Sequence, residues 1–142
     1  METKLFSNVV MVNADMEDVK GILSNPQQLL QWVPDISTVD QSENGFLIKR
    51  SGAALNQSER IRIETNGSKI TYISTQGRLE YKLIFSVHAQ NHQAVVQEDL
   101  YILKDATNQL PVKLLAPIAK HAFYSNLIRL GSFAELIAAN NQ

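Results

Sequence analysis

The chain has 142 residues, 44% of them hydrophobic, with 13 basic and 14 acidic side chains for a net charge of −1. That length suits one domain spanning residues 1–142 with a core of its own, and a balanced charge without like-signed blocks gives nucleic acid little electrostatic support as a partner. The absence of cysteine removes disulfides, thiolate nucleophiles and cysteine-based zinc sites together. Met1–Val12 carries Lys4 and Asn8 among its apolar residues and lacks the core of a signal peptide. The longest apolar run, Leu114–Ala119, is far too short to span a bilayer, so no membrane span and a cytoplasmic location are expected.

In chain order, Lys4–Val12 is rich in β-branched and aromatic residues and predicts a first strand. Asp15 stands as a helix N-cap, with Val19, Ile22 and Leu23 on one face of a short helix that ends near Pro26. A second turn of helix follows over Gln27–Gln31, closed by Trp32-Val33-Pro34, because the residue before proline is pushed out of helical geometry. Strands are then predicted over Ile36–Gln41 and Phe46–Arg50, separated by Ser42-Glu43-Asn44-Gly45, and over Glu59–Thr65 and Lys69–Gln76, separated by the hairpin signal Asn66-Gly67. Leu79, Tyr81, Leu83, Phe85 and Val87 alternate with mostly polar residues, which fixes the inward phase of the next strand. After a turn at Gln90-Asn91-His92, Ala94–Leu103 forms the last strand, and its two faces are equally apolar. From about Pro111 to Ala139 the period changes to 3.6, with Leu115, Ala119, Ala122, Asn126, Leu130, Phe133 and Ile137 on one side and Leu127 and Ile128 on the other. Pro117 either opens this helix or kinks it.

One strand, two short helices, a run of antiparallel strands and one long helix define an α+β fold. Its curved antiparallel sheet of about six to seven strands must cover its apolar face with the terminal helix. Val12–Val19, Leu23–Leu29 and Trp32–Ile36 (W-V-P-D-I) resemble the opening of the SRPBCC, or START-like, superfamily, and the element order extends the resemblance across the chain. That resemblance, shared with polyketide cyclase-like proteins, implies a helix-grip fold and a hydrophobic cavity between helix and sheet. It implies no shared catalytic residue set, because members of the superfamily share a shape and differ in function.

No recognised catalytic or nucleotide-binding motif occurs, the catalytic residues are unknown, and neither metal nor cofactor is implied. His88, His92 and His121 read as solvated or rim histidines. Asn126, central on the predicted helix face, is a candidate pocket amide, with Arg129 one turn on; Ala122 and Leu115 line the same face. Tyr81 and Phe85 face inward by their strand phase, and Tyr72 joins them in phase with Ile70. If Ala94, Val96, Leu100 and Ile102 face inward, Glu98 is an acid on an apolar surface with a raised pKa; in the other phase it is solvated and Asp99 and Tyr101 turn in. Trp32 reads as a structural wedge, Arg60, Arg62 and Glu64 as a water-facing strand face, and Leu55, in the loop from Ser51 to Ser58, as an apolar latch. The expected partner is a small lipophilic ligand, with a homodimer left open. A protein-interaction module using Leu127 and Ile128, and a cyclase or dehydratase using a pocket carboxylate, are the alternatives.

Overall fold

The structure, a computed structural model, describes residues 2–52, 54, 56–105 and 112–140, so Leu55 lies outside the described residues. Strand β1 (Thr3–Val12) leads into α1 (Met16–Leu23), a 3-10 turn at Pro26–Gln28 and α2 (Leu29–Trp32). Six strands follow: β2 (Ile36–Ser42), β3 (Gly45–Arg50), β4 (Ser58–Asn66), β5 (Lys69–Thr75), β6 (Leu79–Gln90) and β7 (Gln93–Asp105). The helix α3 (Val112–Asn140) ends the fold, with Pro117 inside it. All seven strands form one antiparallel sheet in the order β1-β7-β6-β5-β4-β3-β2, so the first strand pairs with the last.

Local chemistry sets these boundaries. Asn25 caps the 3-10 turn by accepting from the Gln27 amide at 3.2 Å, with Pro26 at the first helical position where its missing N–H is harmless. Asn91 and His92 both adopt positive φ, at 52° and 67°, between the paired residues Gln90 and Gln93. That is the primed two-residue turn whose twist matches a hairpin. Gly67, at φ 62°, serves the β4–β5 hairpin in the same way.

Alternation divides the sheet into an outer face and an inner one. Phe6 and Val12, Ile48, Ile61, Ile70 and Tyr72, the odd-numbered β6 residues Leu79–Val87, and Ala94, Val96, Leu100 and Ile102 are buried on the inner face. Trp32 wedges between the small helices and this face, edge-on to Phe85 at 6.2 Å. Tyr72 meets Phe85 at 5.2 Å, while Phe123 of α3 lies between Phe6 (5.3 Å) and Tyr81 (6.2 Å).

The phase of α3 differs from the sequence expectation. Leu127, Leu130, Gly131 and Ala134 are buried, whereas Ala122 is exposed and Asn126 only half-buried. The buried stripe is turned by roughly 90° from the predicted one, close to one 100° residue step. Apolar residues occupy the outer side as well, with Leu114, Ile118, Ile128 and Leu136 all exposed, so hydrophobicity alone defines the phase weakly. Close approach decides it: a Cβ on Gly131 would meet Val12 Cγ2 at 3.2 Å, so the missing side chain lets helix and strand pack tightly. The outer surface envisaged for a partner protein thereby loses Leu127 and keeps Ile128.

β1 is a sheet edge, and α3 covers part of it. Lys120 Nζ donates to the Ser7 carbonyl at 2.6 Å, and the Asn13 amide donates to the Glu135 carboxylate at 2.8 Å. One backbone group on β1 and one just past its end are thus satisfied by helix side chains, one way of blunting an edge. Among the described residues, no helix is long and apolar enough to cross a membrane.

Candidate functional site

The register of β7 settles which acid turns inward. Glu98 stands between Asn8 of β1 and Phe85 of β6, and is 1% exposed; its phase is that of Ala94, Val96, Leu100 and Ile102. Asn8 Nδ2 donates to Glu98 Oε1 at 3.0 Å and to the Lys120 carbonyl of α3 at 3.1 Å, tying strand, strand and helix at one point. Burial pushes the Glu98 carboxyl up to about 7; the Asn8 hydrogen bond opposes this, the charge of Asp99 adds to it, and Lys120 opposes it. Asp99 points to the outer face. Burial raises its pKa, but hydrogen bonds from Ser7, Gln97 and Lys4, with the Lys4 charge, outweigh that and hold it below the usual carboxylate value. Two adjacent acids therefore work in opposite regimes, one ionised throughout the neutral range and one balanced near pH 7.

This pair adjoins a cleft of about 470 Å³ between β1 and the first half of α3. Ser7 and Asn8 line it from the strand, and Pro117, Lys120, His121 and Tyr124 from the helix. Asn8 faces both ways, forming cleft wall on one side and holding the buried carboxyl on the other. His121 is a rim residue of this cleft, while His88 and His92 are exposed at the far hairpin. Among the described residues no group of three or more His, Asp or Glu side chains is placed to hold a metal ion.

The other site residues read from the sequence are only partly gathered here. Tyr81 and Phe85 are buried on the inner face, and Leu115 is half-buried on α3. The Tyr72 hydroxyl donates to the Leu23 carbonyl at 2.5 Å, which engages it in the fold, and burial, then the neighbouring Tyr81, raises its pKa. Asn126 and Arg129 lie together on the flank of α3, with Nη1 of the arginine 3.4 Å from Oδ1 of the amide. Ala122 points away from the sheet. Asn8 was not read as a site residue. Its signal was present, since it is in phase with Phe6 and Val12 and so stands as a lone amide on the inner side of an apolar strand.

A second buried acid was also missed. Glu59 is fully buried, in phase with Ile61, and receives hydrogen bonds from Arg50, Ser74 and Asn56. Arg50 also pairs with Asp35 at 3.4 Å, and Asn56 both donates to and accepts from the Leu79 backbone at 2.8 Å. A Cβ on Gly77 would overlap Asn56, so the glycine makes room for that amide. Every oxygen of Glu59 has a donor, and the network joins the ends of four strands.

Neither a protein-family model nor a curated protein matches the chain. Solved structures do. The di-domain ARO/CYC StfQ from the steffimycin biosynthetic pathway superposes with a TM-score of 0.74 at 16% identity, over 98% of this chain and 52% of StfQ, so the chain spans about half of that protein. The ZhuI aromatase/cyclase from Streptomyces sp. R1128 gives 0.71 at 13% identity, covering 95% and 94% of the two chains. A conserved protein from Geobacillus kaustophilus gives 0.72 at 9% identity, covering 90% and 93%. The chain thus has the fold of these two aromatase/cyclases, the helix-grip arrangement expected from its sequence.

Proposed function

We propose that the domain binds a small lipophilic molecule between α3 and the inner face of the sheet, with Asn8 and Glu98 as its polar contacts. The observation that carries this reading is the hydrogen-bonded Asn8–Glu98 pair beside the cleft between β1 and α3. Val9, Pro117 and Tyr124 give the cleft apolar walls that supply affinity, and a few placed polar groups fix orientation, as in most small-molecule sites. The shared fold with StfQ and ZhuI, both named as aromatase/cyclases, supports a cavity of this kind. The same reading holds residues 1–142 to be one domain acting in the cytoplasm without cofactor or nucleic acid, with a homodimer as an alternative form.

A second reading, a cyclase- or dehydratase-type enzyme, is favoured by one feature. Glu98 is balanced near pH 7, where a carboxyl can both give and take a proton. Native mass spectrometry of the protein purified from its own host, followed by solvent extraction, tests the binding reading. A stoichiometric apolar molecule, lost on Asn8→Leu substitution, is expected. A clean apo mass, together with no uptake of 8-anilinonaphthalene-1-sulfonate, refutes it.

A further inference from the structure

We propose that the outer face of the sheet carries a separate carboxylate-binding groove centred on Arg60. On β4, Arg60 stands across from Thr75 of β5 and Leu47 of β3, and Arg62 across from Ile73. A groove of about 610 Å³ lies over these residues, walled by Ser42 and Asn44 at the β2–β3 turn and by Gln76 after β5. Both walls are fixed by the backbone. Gly45 sits at φ 131°, where a Cβ would collide with the Ile61 carbonyl, so the turn lies hard against β4. Gln76 adopts φ 64°, with its amide held by Glu80 at 3.0 Å. The groove is therefore preformed, which lowers the entropy lost on binding.

Arg60 is half-buried, not water-facing as its strand position implied. Its Nη1 donates to Ser42 Oγ, its Nε is buried without an acceptor, and no carboxylate of the described residues lies within ion-pairing distance. A partly desolvated guanidinium without a counter-charge is unfavourable, and its planar fork matches two carboxylate oxygens. Arg62, with a side chain 61% exposed and 3.8 Å from Glu64, is loosely held and can swing to a bound anion. Glu43 also lines the groove and opposes a second negative charge, which favours a carboxylate over a phosphate dianion. Ile73 gives the attached carbon chain an apolar floor. The carboxylate belongs either to a small organic acid or to an acidic side chain of a protein segment.

Titrating the full chain with sodium acetate, inorganic phosphate and an N-acetylated tetraglutamate amide, at constant ionic strength, tests this through the arginine Nε–H NMR signals. Acetate is expected to shift the Arg60 signal saturably, and the same acetate titration followed on backbone amides should weaken about tenfold or more in Arg60→Lys, which keeps the charge and loses the fork. Tetraglutamate binding tighter than acetate assigns the groove to protein segments; acetate binding as tightly assigns it to small acids. Phosphate binding tightest overturns the carboxylate assignment, and a flat Arg60 signal overturns the site. Retained affinity in Arg60→Lys overturns the fork geometry. Should Arg60 variants fail to fold, Arg62→Gln, on an exposed side chain, is expected to weaken acetate severalfold, and unchanged affinity there counts against the site. The groove lies on the opposite face from Glu98, so its loss leaves binding under α3 intact.

Discussion

Replacing Glu98 by Gln isolates the energetic consequence of burying an acid on the inner face. The folded carboxyl is raised from the ordinary 4.5 to about 7, so between these values the folded state holds a proton that the unfolded state has released. Stability from this group is fully present below pH 4.5 and is lost as pH rises through 7, because there the folded protein must carry a buried charge. A shift of that size corresponds to about 3 kcal/mol, with little solvent screening to discount for a side chain this buried. Glutamine keeps the shape and an oxygen for Asn8, and does not titrate. Urea unfolding at pH 4.5, 5.5, 6.5 and 8 should show Glu98→Gln gaining on the wild type by about 3 kcal/mol across the series, the gain levelling off above pH 7. A difference between the two proteins that stays constant within about 0.5 kcal/mol over that range would refute the argument, because the carboxyl would then titrate as if in water.

Three further outcomes follow from the packing. Leu127→Ala should cost about 2–5 kcal/mol in chemical denaturation while Ala122→Ser costs under about 0.5; equal effects would mean that α3 is turned to its sequence-predicted phase. Arg50→Ala strips Glu59 of its charged partner and should cost about 3–5 kcal/mol, partly recovered in Arg50→Ala/Glu59→Gln; a loss below about 1 kcal/mol would show that the pair is not buried together. Gly45→Ala forces a Cβ against the Ile61 carbonyl at a positive φ and should lower the thermal midpoint by several degrees, whereas Gly52→Ala, with open space around it, should lower it less.

Much of the fold was readable because its local signals agree. The strict alternation from Leu79 to Val87 and the turn residues Asn66-Gly67 and Asn91-His92 place strands without help from distant parts of the chain. The site was less readable, for two physical reasons. On β7, Val95 and Val96 are both apolar and Glu98 and Asp99 both acidic, so period-two alternation has no preferred phase. The choice comes from the neighbours: Asn8 meets one acid on the inner side, Ser7 and Lys4 the other on the outer side. On α3 the apolar residues run most of the way round, and the Gly131–Val12 contact, invisible to any periodicity, picks the buried stripe. Glu59 had a phase signal in Ile61, yet its partners Arg50, Asn56, Ser74 and Leu79 come from separate segments that only the folded sheet brings together.

That Gly131 contact has a consequence for how the long helix resists opening. Residues Leu127, Leu130, Gly131 and Ala134 root the second half of α3 in the core, while Leu114, Pro117, Ile118 and Ala122 in the first half are exposed. Pro117 also lacks the amide that would continue the helical ladder. Opening free energies within one continuous helix are therefore expected to be graded: amides near Leu130 should exchange hydrogen only with global unfolding, and those near Ile118 through local fraying. The turn around Pro117 and Ile118, at one end of the cleft, is therefore expected to part from the sheet before the turns that Phe123 and Leu130 anchor.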